Sequence, residues 1–401
     1  MKIVYLLHRF PLLTDTFIRR EIRSLQTTGT EVEVISVWRP NGKETSSDLL
    51  RDWSRDVTFL LPRSVASILC AFLRVVFSSP RRFLAALRLG FSTSRPGFCG
   101  VIYQIFYVGE AMLAAEIIHK KINVGHIHNH FGDHSGIVTM LVSKLTNIGY
   151  SISFHGPHVF FDAANAAIKE KVRHASFIRC ISYFCCSQLM VICAGVDNCL
   201  FKIVHCGLDL TKFSFRPPRD EVRDLFCVAR LAPEKGIEFL IQAVGLLTKK
   251  GHILNLRIAG DGPSKASLEG SVRALGLDDR VCFLGNLSEQ EVARELSISD
   301  LFVLPSLAEG IPVSIMEAMA VGVPVIATNI AGTSELVEAG KTGILVRPAD
   351  PHAIAEAVMT MMKVHEFRRR AGELGRAKVE SEFDVAKESA KLNQCFLQCH
   401  G

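Results

Sequence analysis

The chain opens on an apolar run, Lys2-Ile-Val-Tyr-Leu-Leu7, then a loop from His8 to Thr16 and a helical pattern through Phe17, Ile18, Ile22 and Leu25. A second run, Glu31-Val-Glu-Val-Ile-Ser-Val37, follows. A strand with no polar face fits a parallel sheet covered by helices on both sides. The same order returns later, with strands over 224–229 and 255–259 around a helix over 237–249, and further strands over 301–304 and 324–327. The 401 residues suit two domains of about 200 each. The expectation is an α/β chain of two Rossmann-like, doubly wound parallel-sheet domains with right-handed crossovers. Ligands in such sheets sit beyond the carboxyl ends of the strands, and two sheets facing each other would form an interdomain cleft.

The run Lys212-Phe-Ser-Phe-Arg-Pro-Pro-Arg-Asp220 has two prolines, charges and no periodicity, the marks of a linker. The expected division is an N-terminal domain over 1–212, a linker over 213–222 and a C-terminal domain over 223–385. A C-terminal helix over 386–401 has the N-terminal domain as a surface to pack back on. Charge divides with the halves: residues 1–200 hold 22 Lys+Arg against 14 Asp+Glu, a net of +8, and residues 201–401 hold 24 against 26, a net of −2. The basic excess includes Arg63, Arg74, Arg81, Arg82, Arg88 and Arg95, interleaved with Phe72, Val75, Val76, Phe77, Phe83 and Leu84. Such interleaving suits anionic lipid headgroups, and the alternative is a solvated helix face. Mean hydropathy is high, at +0.25, yet the run taken as most apolar, 65–73, falls far short of the ~20 residues a bilayer crossing needs. The start, ending in His8, Arg9 and Pro11, lacks the form of a secretory leader. Twelve cysteines, Cys185 and Cys186 among them, lack paired C-x-x-C metal spacing, so reduced thiols in a cytoplasmic protein are expected.

Chemistry concentrates in Leu304-Pro-Ser-Leu-Ala-Glu-Gly-Ile-Pro-Val-Ser-Ile-Met-Glu-Ala-Met-Ala320. A strand ends at Leu304, and Pro312 stands where a first helical residue belongs. Gly310 would let the backbone approach a ligand, and the amides of Val313 and Ser314 would point out of the helix end toward a diphosphate. Glu309 precedes the helix and Glu317 lies more than a turn inside it, so they would reach different hydroxyls of one extended ligand. Dipole-favoured acids at a helix start are the plainer account, but Glu317 is too deep for it. In Val228-Ala-Arg-Leu-Ala-Pro-Glu-Lys-Gly236, Arg230 and Lys235 share a strand-to-helix loop and could neutralise phosphate oxygens. Ala259-Gly-Asp-Gly-Pro263 adds a glycine turn.

In this order the loops resemble those of the retaining GT-B glycosyltransferases of family 4, and the likeness covers nearly the whole chain. Glu309 and Glu317 match that family's paired glutamates, and Arg230 and Lys235 its diphosphate-binding pair. The resemblance implies that the domain over 1–212 binds the acceptor and the one over 223–385 the nucleotide sugar. It also implies that Glu317 binds ribose hydroxyls, that Glu309 and Ile311 hold the transferred sugar, and that Glu309 and His155 serve the reaction centre. Gly332, in Asn329-Ile-Ala-Gly-Thr-Ser-Glu335, falls in a loop that closes over the donor side in the family. The N-terminal half is similar to a branch building bacterial exopolysaccharides of the colanic-acid type, through Phe10-Pro-Leu-Leu-Thr-Asp-Thr-Phe-Ile18, His128-Asn-His-Phe-Gly132, Ser153-Phe-His-Gly156 and Val204-His-Cys-Gly-Leu-Asp209. Thr14 and Asp15 replace that branch's usual Ser and Glu. The first loop lacks the Gly-Gly found elsewhere in the family, so no phosphate contact is assigned to it.

His126, His128 and His130 would share one face of a strand, with His134 close behind. No acid or thiolate accompanies them at tight spacing, so polar residues facing the cleft are expected rather than a metal. The function these readings imply is transfer of a sugar from a nucleoside-diphosphate sugar to a glycan or lipid-linked oligosaccharide with retention. It would need no metal or cofactor and no nucleic acid, and it would take place at the inner face of the cell membrane. A nucleotide-sugar epimerase on the same scaffold and a silent nucleotide-sugar-binding subunit are the rivals. No G-x-G-x-x-G follows a strand, which argues against a dinucleotide oxidoreductase.

Overall fold

The computed structural model describes residues 1–41, 48–121, 123–156, 158–163 and 165–399. The chain divides into two compact units, one of Met1–His205 with the segment from Glu388 on, the other of Cys206–Lys387.

The first unit is built on seven strands: β1 (Lys2–Arg9), β2 (Glu31–Trp38), β3 (Val57–Leu61), β4 (Val124–His130), β5 (Gly149–Phe154), β6 (Phe177–Cys180) and β7 (Phe201–Ile203). They lie in the order β3-β2-β1-β4-β5-β6-β7, every recorded pair parallel. Alternation along β1 explains why the opening run is apolar throughout. Val4 and Leu6 join one core layer, under the helices Val65–Ser78, Pro80–Ser92, Phe98–His119 and His134–Thr146. Ile3, Tyr5 and Leu7 join the other, under Thr16–Thr27 and the C-terminal helix Val385–Gln398, which contributes Leu392 and Phe396. Residues 400 and 401 of the expected C-terminal helix lie outside the described residues.

Beyond the apolar run at 65–73, the fold holds a longer apolar helix, Phe98–His119. It is long and apolar enough, by length and composition, to cross a bilayer. Its second half, with Ala111 to Ala115 and Ile118, is core of the first unit. Its first half leaves Phe98 80% and Phe106 64% exposed. The residues on either face are apolar, so no helical period announced it.

The second unit holds β8 (Asp224–Val228), β9 (Asn255–Ala259), β10 (Val281–Gly285), β11 (Leu301–Leu304), β12 (Val325–Thr328) and β13 (Gly343–Val346) in the order β10-β9-β8-β11-β12-β13, again parallel. Residues 206–222 belong to this unit; Phe213 is buried and Arg216 N donates to Val321 O at 2.8 Å. Its strand order reverses between β8 and β11, the place where open α/β sheets bind ligands beyond their carboxyl ends.

Candidate active site

Four loops meet at that reversal. The loop after β8 carries Arg230 and Lys235, and the one after β11 carries Glu309 and Gly310. They are tied main chain to main chain, with Leu307 N donating to Glu234 O at 2.8 Å. The loop after β9 closes on the first: Leu231 N donates to Asp261 O at 3.0 Å. Gly260, at φ +126°, is required there, because a Cβ would stand 1.9 Å from Ala229 O. The loop after β12 comes equally near, since a Cβ on Gly332 would lie 2.3 Å from Gly310 O.

Lys235 Nζ lies 2.6 Å from Glu309 Oε1, with 20% and 11% of the two side chains exposed. Ser306 Oγ donates to the same oxygen at 2.7 Å. Both bonds land on Oε1, and among the described residues Oε2 takes none. A carboxylate steadied through one oxygen can offer the other to a hydroxyl, and an ammonium has two further donors for phosphate. Arg230 stands apart: it is 62% exposed and pairs with Glu234 of its own loop.

The helix Val313–Val321 begins one residue later than the sequence suggests. Pro312 is its N-cap in an extended conformation (φ −76°, ψ 110°), not its first helical residue. The first helical bond is donated by Ile315 to Pro312 O at 3.1 Å, which leaves the Val313 and Ser314 amides at the open, positive end. Ile311 is buried beside them. Beyond its first turn the helix is buried on every side, and Glu317, also buried, is its one charged residue.

In the first unit the three histidines of β4 do not line an open surface. His126, His128 and His130 have no exposed area; Phe177 and Phe396 pack against His126 and His128. Alternation put them on one face, but the C-terminal helix covers that face. His128 is held between Ser151 Oγ at 2.7 Å and Ser153 Oγ at 2.9 Å. His130 Nδ1 lies 2.7 Å from Nε2 of His155, which keeps an exposed edge. On the other side His130 Nε2 lies 3.2 Å from Glu21 Oε1. Glu21 also accepts from Tyr5 Oη at 2.7 Å and pairs with the guanidinium of Arg179.

Burial pulls the Glu21 carboxyl upward, but Arg179 and the His130 imidazole outweigh it and hold the carboxyl well below the usual range. Burial, then His130 and Arg179, push the His155 imidazole well below its ordinary value, and His128 is lowered the same way. His130 is lowered by burial too, with Glu21 opposing. The tautomer that fits these contacts has His130 Nε2–H toward Glu21 and Nδ1 accepting from His155 Nε2–H, which makes His155 Nδ1 an acceptor. Glu21, His128 and His130 bring ligand atoms within 4.8 Å of one another, a spacing a cation could use. Arg179 already supplies the countercharge, and both nitrogens of His128 are engaged, so the group fits a charge-paired network better than a metal centre. Glu21 and Arg179 lie 158 residues apart, so no local pattern pairs them.

Comparison with known proteins bears on the family and the fold. Residues 211–378 match the family model "Glycosyl transferases group 1". N-acetyl-alpha-D-glucosaminyl L-malate synthase of Bacillus anthracis is 32% identical over 298 residues, 71% of this chain and 77% of that protein. The chain belongs to the group 1 glycosyltransferases. WcaL of Salmonella typhimurium, whose name places it in colanic acid biosynthesis, is 26% identical over 98% of this chain and all of that one. The Anabaena protein HepE, solved with UDP and glucose, superposes with a TM-score of 0.75 at 18% identity, covering 99% of this chain and 100% of that one. That likeness carries the GT-B fold of this glycosyltransferase.

Proposed function

We propose that this glycosyltransferase moves a sugar from a nucleoside-diphosphate sugar to a glycan or lipid-linked oligosaccharide, with retention of anomeric configuration, in building a bacterial surface polysaccharide. The observation that carries the reading is the Lys235–Glu309 pair beside the open end of the Val313–Val321 helix, at the reversal between β8 and β11.

Departure of the sugar leaves negative charge on the nucleoside diphosphate. Lys235 and the amides of Val313 and Ser314 are preorganised for that charge, Arg230 joins them by leaving Glu234, and Gly310 lets the backbone come close. No metal or organic cofactor is assigned a role, because these groups already supply the positive field. Glu309 takes the hydroxyls of the transferred sugar through its second oxygen, with Ile311 as the apolar wall. Glu317, the one charged residue of this helix, takes the ribose hydroxyls. His155, its tautomer set by His130 and Glu21, serves the reacting sugar. Retention follows from attack on the face the leaving group departs from. Relatives named for colanic and teichuronic acid biosynthesis support a polysaccharide product.

The place of action is the cytoplasmic face of the membrane. Exposed Phe72, Leu73, Phe77, Leu84, Phe98 and Phe106 stand among Arg63, Arg74, Arg81, Arg82 and Arg88, a surface that pairs apolar insertion with attraction to anionic headgroups. The test is incubation with UDP- and GDP-sugars, with and without lipid-linked oligosaccharides, followed by nucleotide release and the anomeric NMR signals of the product. Acceptor-dependent release with the donor's anomeric configuration supports the reading. Isomerised donor in the absence of acceptor points to an epimerase, and binding without release to a silent subunit.

A further inference from the structure

The turn that follows β4 is strained. Phe131 takes φ +76°, rare for a bulky residue, and Gly132 follows at φ +65°. Glycine is required at the second position, because a Cβ there would stand 2.4 Å from Phe154 Cε1. At the first position glycine or asparagine would take the same φ with less strain, yet a phenylalanine stands there. What its ring gains is contact with His155, at 5.1 Å between centres, and with Phe17 at 6.0 Å. Phe17 closes on His155 at 4.7 Å, and His130 stacks on it at 4.8 Å and 16°.

Two further elements hold the turn. Phe131 N donates to Ser153 O of β5 at 2.8 Å. Lys171, on the helix Ile168–Arg173, has no exposed area, and its Nζ donates to Gly132 O at 2.8 Å and to Asp133 O at 2.7 Å. Tyr150 Oη, also from β5, donates to the main-chain carbonyl of Lys171. Among the described residues this ammonium has no ion-pair partner. The Asp133 carboxylate is engaged instead with Ser135 N at 2.8 Å and Ser135 Oγ at 2.6 Å. Burial pushes Lys171 down to about 7, with Asp133 opposing and Arg95 adding to the fall. A buried ammonium without a paired acid is a costly way to hold two carbonyls, and the turn so held is the one that carries Phe131.

We propose that Phe131, on a turn locked by Lys171, is a positioning residue for His155. Lys171 fixes the turn, the turn sets the Phe131 ring against the imidazole, and Phe131 with Phe17 keeps that imidazole where its Nε2 meets His130 Nδ1 at 2.7 Å. A hydrogen bond between neutral groups favours one ring orientation by only about two- to twelvefold, so the bond to His130 does not fix the ring alone. Each aromatic contact multiplies that preference by a similar factor. A group displaced by about 1 Å from its working position can cost ~10²-fold in rate, so release of the ring should appear in kcat. Lys235, Glu309 and Glu317 belong to the other unit, so donor affinity should hold. That the orientation of His155 matters for transfer rests on the role given to it above; that Phe131 and Lys171 set the orientation does not.

The experiment combines isotope-labelled histidine NMR with transfer kinetics on the full chain. Phe131→Gly keeps the backbone of the turn and removes only the ring, Phe131→Tyr keeps the ring face, and Lys171→Met releases the turn. In the wild type His155, assigned by its loss in His155→Gln, should hold one neutral tautomer with the proton on Nε2. In Phe131→Gly and Lys171→Met it should exchange between both tautomers, while His128, held by two serines, keeps its own. In the same two variants kcat should fall tenfold or more with the donor KM within about threefold of wild type, and Phe131→Tyr should recover most of the loss. The proposal is overturned if His155 keeps its single tautomer in Phe131→Gly, or if Phe131→Tyr is as impaired as Phe131→Gly. It is equally overturned if His155→Gln is impaired while Phe131→Gly stays within about threefold of wild type. A Lys171→Met chain that fails to fold, or that leaves His155 as in the wild type, removes Lys171 from the proposal. Wild-type kcat in His155→Gln would instead strike the role given to His155 above and leave the spectra to judge the positioning.

Discussion

Replacing Lys235 with Met removes the cation that the donor reading depends on. In the free protein its partner is Glu309, at 2.6 Å, with both side chains in partial contact with water. Such pairs contribute about 0–1 kcal/mol, so the melting temperature should move little. Catalysis should respond far more. A unit charge about 4 Å away at an effective dielectric of about 20 contributes ~4 kcal/mol, and one preorganised electrostatic donor commonly accounts for about 2.7–4 kcal/mol of barrier. The expected fall in kcat/KM for the donor is therefore ~10²–10³. Lys235→Arg keeps the charge and should recover part of the loss. Lys235→Met combined with Glu309→Gln should lose less than the sum of the two, because each removes the other's partner. Steady-state release of nucleotide measures the wild type, both Lys235 variants, Glu309→Gln and the double variant. A Lys235→Met enzyme within about threefold of wild type, under 1 kcal/mol of barrier, would refute the assignment.

Arg179→Met strands the buried Glu21 carboxylate and two carbonyls, Val204 O and His205 O, that Arg179 serves at 2.9 and 2.7 Å. Loss of one member of a buried pair costs about 3–5 kcal/mol, so calorimetry should show a melting temperature lower by roughly 6–20 °C; a drop under 2 °C would contradict the network. His128, His130 and His155 all have lowered pKa values in the fold, so their contribution to stability is complete above the unfolded value of about 6.5 and is lost as pH falls through the folded values. Melting measured from pH 7.5 to 5.5 should decline by up to about 4 kcal/mol per pH unit, and a flat profile would argue against buried neutral imidazoles. Gly260→Ala should destabilise the second unit by roughly 1–3 kcal/mol through the forced φ alone, and more through the clash with Ala229 O; an unchanged melt would show that the loop can shift.

What the sequence made legible is local. Arg230, Lys235, Glu309 and Gly310 sit in short loops directly after strands, so once β8 and β11 are neighbours the loops must meet. What it hid is long-range or unperiodic. The three histidines alternate correctly, but alternation says which residues share a face, not that Phe396 covers it. Glu21 reads as an ordinary first-helix acid until the fold sets Arg179 against it. The helix Phe98–His119 is apolar on both its core and its exposed faces, so no period marks it out. Ser306, which shares Glu309 Oε1 with Lys235, looks like any loop serine.

The central claim is that the reversal between β8 and β11 grips a nucleoside diphosphate. Titration calorimetry of the full chain with UDP, GDP, ADP and dTDP tests it most directly. At least one of them should bind the wild type and raise its melting temperature by mass action, with affinity falling tenfold or more in both Lys235→Met and Glu317→Ala. If none binds, or if binding survives both substitutions, the site lies elsewhere.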